Sequence, residues 1–170
     1  MTHWIGKDAF ESAMREIITV VDMLRTSNIA ASTLGEVHSF CYILTAKQRS
    51  TVKKVCDEHG WEVPFCKGIE INAVTINHIL DSRMKEGLTS TFVGDIMVAA
   101  YNQFAEVYVN KKNGEQAVFL NGIKKLPLNG STWHAVAIVA MDNVTHGIKH
   151  LASVTAYHAD ERKVRGIRKS

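Results

Sequence analysis

Along the first third of the chain, apolar side chains recur at Phe10, Met14, Ile17, Ile18, Val21 and Leu24. Steps of three and four place them on one face of a helix. A second helical stretch, or two, is expected up to residue 60. Val37, Phe40, Ile43 and Leu44, then Val52 and Val55, keep the rhythm, and Gly60 stands where a helix C-cap would close it. Residues 61–68 read as a break punctuated by Pro64 and Gly68. The rhythm resumes with Val74, Ile76, Ile79, Leu80 and Met84 as the buried side, and stops at Gly87. Residues 90–104 are apolar enough for another short helix, capped by Ser90 or Thr91.

After residue 104 the period changes from helix to strand. "AEVYVNKKNGEQAVFL" alternates on both sides of Asn113-Gly114, a strong hairpin cue. "NGIKKLPLNGST" is turn-rich, "WHAVAIVAMDN" is an apolar strand, "VTHGIKH" is a connection and "LASVTAY" is the last strand. The links are too short for crossover helices, so these strands should be antiparallel. The expected fold is α+β: N-terminal helices followed by a four-stranded antiparallel sheet packed on helices. A boundary is expected near residue 62, with a helical extension over 1–62 and a compact α+β domain over 63–170.

Composition narrows the class. Of 170 residues, 46% are hydrophobic and 22% charged, enough apolar matter for a sizeable core. No apolar run is long enough to span a membrane, and no secretory leader is visible. Three cysteines without C-x-x-C spacing read as reduced thiols, which predicts a cytoplasmic protein. The net charge of +3 hides a basic end, in which Lys149, Arg162, Lys163, Arg165, Arg168 and Lys169 face only Asp160 and Glu161. Such an end suits a phosphate-bearing partner or a solvated tail. Nucleotide-loop, zinc-protease and serine-hydrolase motifs are missing. His146 and His150 have metal-pair spacing, but Gly147 and the flanking strands argue against the helix such a pair needs. Trp4, Trp61 and Trp133 read as packing residues.

The residues that carry chemistry lie on one helix and on the last strand. His78 can exchange protons near neutral pH. Arg83 can grip phosphate oxygens two at a time. Ser153, Thr155 and Tyr157 alternate along a strand and should share a face, with His158, Arg162, Lys163 and Arg165 following.

A helix carrying "INHILDSRMK", then strands ending in "LASVTAY" and leading into "HADERKVRG", resembles the barnase/EndoU/colicin/RelE-like nucleases, and most closely their phage-borne branch. The resemblance covers Lys67 to Arg168. It implies a metal-independent ribonuclease, or a toxin-like domain of that kind, cleaving RNA by transesterification without a cofactor or metal. It implies catalytic roles for His78, Arg83, Thr155 and Tyr157, and phosphate or RNA binding by Lys149, His150, His158, Arg162, Lys163 and Arg165. The partner would be RNA, with tRNA among the candidates, in the cytoplasm of a phage's host; a host protein is a second candidate partner. Many phage-borne relatives carry a second histidine where Met84 or Lys85 stands here. That departure motivates the alternatives: a catalytically inactive accessory or inhibitor module, or a structural assembly protein.

Overall fold

The computed structural model describes residues 3–5, 7–111 and 115–169. The order is β1 (His3–Ile5), α1 (Lys7–Thr26), a 3-10 helix (Ala31–His38), β2 (Phe40–Ile43), α2 (Ala46–His59), β3 (Phe65–Ile71), α3 (Ala73–Met84), α4 (Ser90–Ala100), β4 (Glu106–Asn110), β5 (Ala117–Leu128), β6 (Ser131–Thr145), β7 (Ile148–Ala159) and α5 (Glu161–Arg168). The class is α+β. The sheet corrects the expectation of four antiparallel strands: it has seven, in the order β1-β2-β3-β7-β6-β5-β4. β4 to β7 form the antiparallel run, while β3 joins β7 in parallel and β1 joins β2 in parallel. Asn113-Gly114 lies outside the described residues.

The expected division at residue 62 has no counterpart in the packing. β1 and β2 belong to the same sheet as β7, and Phe10, Met14, Val21, Tyr42 and Val52 share one apolar cluster with Ile79, Met97 and Leu120. The reason is the amphipathic α1, whose stripe needs a partner; it packs against α3 and α4. Phe10 meets the rings of Phe40, Tyr42 and Tyr101 at 5.3–5.9 Å. α2 starts with a capping box, Thr45 Oγ1 accepting from the Gln48 N–H while Gln48 Oε1 accepts from the Thr45 N–H. The Gln48 amide also donates to the carbonyls of Asn102 and Ala105, tying α2 to the α4–β4 connection.

β5 approaches α4 closely at Gly122, where an added Cβ would lie 2.1 Å from the Ala99 carbonyl oxygen. β7 carries a bulge: Ile138 pairs with Thr155 but Val139 pairs with Ser153, leaving Val154 as the extra residue. On the far side of the sheet, α5 lays Val164 and Ile167 over Val136 and Ala159. His134 on β6 and Glu161 on α5 share a 2.7 Å hydrogen bond that fixes the helix in place.

Candidate functional site

Three pieces of local structure meet beside the C-terminal half of β7. The pairing of β3 with β7 ends at Ala152, because the chain leaves the sheet there and enters α3 at Asn72, whose side-chain oxygen accepts from the Thr75 N–H. The last turn of α3 delivers Arg83. Gly87, at φ 88°, reverses the chain, and Thr89 caps α4 by accepting from the Phe92 N–H at 3.1 Å. The second piece is the β5–β6 turn. Asn129 and Gly130 have φ of 50° and 79°, the left-handed pair of a tight hairpin, and they bring Leu128, Asn129 and Trp133 to the same place. The third is the end of β7 and the start of α5. Asp160 caps α5 by accepting from the Lys163 N–H at 2.7 Å, which seats Lys163 Nζ 4.3 Å from the centre of the Tyr157 ring.

Together they enclose a cleft of about 870 Å³, lined by Arg83, Glu86, Leu88, Phe92, Trp133, Tyr157, His158 and Lys163 among others. Arg83 is ion-paired with Glu86 at 3.2 Å. The His158 ring meets Trp133 and Phe92 edge-on, with centroids 4.8 and 6.3 Å away. Burial pushes the His158 imidazole below its usual value; Glu86 opposes this, while Arg83 and Lys163 add to it. Burial pushes the Tyr157 hydroxyl up, against the pull of Arg83. At neutral pH the imidazole is therefore uncharged and the phenol protonated. Three nitrogens in the lining, Arg83 Nε, Trp133 Nε1 and His158 Nδ1, are buried with no hydrogen-bond partner within the described chain. The first two can only donate.

No protein-family model, no curated protein and no solved structure matches this chain.

Of the residues expected from sequence, Arg83, Tyr157, His158 and Lys163 line this cleft. His78 does not: it is exposed on α3, and five residues separate it from Arg83, about 140° around the helix. Thr155 is half-buried on β7 and outside the lining. Ser153 was expected to share its face, but the bulge at Val154 breaks the alternation. Ser153 instead accepts a 2.9 Å hydrogen bond from the buried Tyr101 hydroxyl. Lys149 and His150 sit at the other end of β7, about 23–26 Å from Tyr157 at the usual strand rise. Lys149 donates to the Glu62 carbonyl and to Gln116 Oε1, and His150 Nε2 lies 3.1 Å from Glu70. Arg162 and Arg165 are exposed on α5 and are not in the cleft lining. Among the described residues, no three His, Cys, Asp or Glu side chains are grouped to hold a metal ion.

Sequence reading missed Glu86, Phe92, Asn129 and Trp133. The available signal was Asn129-Gly130 just before Trp133: a tight turn there fixes which elements the indole can reach.

Proposed function

We propose that this cleft cleaves RNA by metal-independent transesterification, in a protein of the barnase/EndoU/colicin/RelE-like kind encoded by a phage or mobile element. The observation that carries the reading is the convergence of Arg83, Tyr157, His158 and Lys163 on one cleft that also holds buried donors without acceptors. An acceptor-rich anion pairs with the Arg83 and Lys163 cations of such a set.

The neutral His158 takes the proton of the ribose 2′-hydroxyl. The 2′-oxygen attacks phosphorus, and the bond from phosphorus to the 5′-oxygen breaks. The Tyr157 hydroxyl gives its proton to that leaving oxygen, and a 2′,3′-cyclic phosphate remains. Arg83 and Lys163 hold the non-bridging oxygens as negative charge builds. To reach phosphate, the Arg83 guanidinium exchanges the Glu86 carboxylate for it. His158 thus takes the role expected of His78. Arg162 and Arg165, on the outer face of α5, extend the positive surface along the RNA backbone. We place the reaction in a host cytoplasm, where RNA is the substrate.

Incubating purified protein with bulk RNA and tRNA in EDTA tests the reading. Cleavage with cyclic-phosphate ends that is lost in His158→Gln supports it; RNA left intact at every pH overturns it. A second reading, binding without catalysis, is favoured by the Arg83–Glu86 pair, which neutralises the cleft's most buried cation. Salt-sensitive RNA binding without turnover would mark that reading.

A further inference from the structure

A second surface, sharing no residue with the cleft, surrounds the short connection from α4 to β4. Phe104 on that connection is 67% exposed, and Ile123, in the irregular stretch of β5, is 57% exposed. Phe104 is held outward by a closed turn. The Asn102 side-chain oxygen accepts from the Phe104 N–H at 2.7 Å, while its nitrogen donates to the Ala99 carbonyl. The ring and Ile123 border two hollows. One, of about 460 Å³, is lined by Val98 and Ala99 of α4. The other, of about 320 Å³, runs between α2 and the start of β4, the end strand of the sheet. Because Gln103, Phe104 and Ile123 border both, they form a ridge between two depressions. A third hollow, of about 310 Å³, adjoins the first at Val98, Asn102 and Gln103 and reaches Glu11 on α1.

We infer that this surface binds a second copy of the chain across a two-fold axis, the Phe104 ridge of each copy filling the 460 Å³ hollow of the other. A two-fold interface uses one patch on both partners, so the patch must be complementary to itself. A ridge standing beside a hollow of the same apolar chemistry meets that condition. The residues around the central hollow, Val98, Ala99, Asn102, Gln103, Phe104 and Ile123, include no charged side chain, as the middle of an interface requires. The two ends carry opposite charge. At the α1 end, one guanidinium serves two carboxylates: Arg15 lies 3.4 Å from Glu11 and 2.8 Å from Asp95, which leaves that end negative. At the α2 end, Lys47 is exposed and forms no ion pair among the described residues. Glu106, the carboxylate nearest it in that hollow's lining, is already held by Arg168 at 3.3 Å and by the Tyr108 hydroxyl at 2.6 Å. That end is therefore positive. An axis through the central hollow exchanges the ends and brings each Lys47 toward Glu11 of the partner subunit. None of this depends on the chemistry of the cleft.

Sedimentation equilibrium of the full chain, from micromolar to submillimolar protein, tests the inference. The expected result is a reversible monomer–dimer equilibrium. Phe104→Asp should weaken it at least about thirtyfold, the loss typical of a central aromatic anchor. The ring is exposed, so circular dichroism of that variant should match the parent. Ile123→Asp, on the same ridge, should repeat the effect. Lys47→Glu should weaken association about 2- to 30-fold, since two symmetric ion pairs are lost. Lys47→Glu combined with Glu11→Lys in the same chain restores the pairs with their signs reversed and should recover most of that loss. A protein that stays monomeric at every concentration leaves this surface to a different partner and overturns the inference. So does a dimer indifferent to both Phe104→Asp and Ile123→Asp, or a charge-reversed double variant that associates no better than Lys47→Glu alone.

Discussion

Replacing Gly122 by alanine is the sharpest structural test, because the perturbation is one methyl group with a known destination. Gly122 does not need glycine for its backbone angles; it needs the missing side chain. An added Cβ would lie 2.1 Å from the Ala99 carbonyl oxygen, 2.9 Å from its carbon and 3.3 Å from Ala100 Cα. All three are backbone atoms of the last turn of α4, so no rotamer change relieves them. Ordinary carbon–oxygen contact begins above 3 Å, so the helix end must retreat from β5 by about 1 Å, opening the apolar layer around Ala99, Ala100 and Leu120. Overpacking of a rigid core costs about 1–3 kcal/mol, occasionally more, and the upper end is expected here because backbone must move. In a domain of this size that lowers Tm by about 6–12 °C. Urea unfolding followed by circular dichroism measures it. Gly166 supplies the contrast: an added Cβ there meets nothing within 4 Å, and the residue lies inside α5. Gly166→Ala should stabilise by about 0.5–1 kcal/mol. Gly122→Ala within about 0.5 kcal/mol of the parent would refute the close packing of α4 on β5.

Under the proposed mechanism, with His158 as the neutral base, cleavage should fall on the acid side with a midpoint below 6.5, because burial, with Arg83 and Lys163, holds its imidazole below the ordinary value despite Glu86. By the same sign, protonating His158 disfavours the folded chain, so stability is lost as pH falls from 6.5 through the lowered value; an NMR titration of the imidazole checks both. His78→Ala should leave cleavage unchanged, whereas His158→Gln should cost about 10²–10⁴-fold; the opposite ranking returns the catalytic role to α3. Lys149→Met removes two hydrogen bonds far from the cleft and should cost about 1–3 kcal/mol of stability with turnover per folded molecule intact. Tyr101→Phe strands the buried Ser153 hydroxyl and should cost about 1–2 kcal/mol in urea unfolding.

What could be read from the residues was local. α1, α3 and α4 announce themselves by spacing, although Val74, expected inward on α3, is 55% exposed because the stripe of that helix runs through Ile76, Ile79 and Leu80. β2 was absorbed into a helix because Phe40–Ile43 is a run of four apolar or aromatic residues, which periodicity cannot assign. Pro64 read as a break, yet it is followed at once by β3: proline ends a helix but sits comfortably just before a strand. α5 has only two buried side chains, Val164 and Ile167, in a charged background, so its cap at Asp160 was the better clue. The parallel pairing of β3 with β7 depends on a contact between distant segments, and no short-range pattern encodes it. That pairing fixes the end of β3 and hence the place of the cleft. The site was therefore half legible: its residue types stood out, but the partition between Tyr157 and His158 at the cleft and Lys149 and His150 at the far end needed the register of β7.

The β3–β7 pairing also sets an order of events during synthesis. Glu70 waits for Ala152, about 80 residues later in the chain, or about 4–16 s at ordinary translation rates. Until then the edge of β3 that pairs with β7 has no strand beside it, the kind of edge that chaperones bind and that other chains can template onto. Tyr157 and His158 leave the ribosome later still. The nascent polypeptide therefore carries the α3 guanidinium without its partners for most of its elongation, and the cleft that brings them together can close only once β7 has been made.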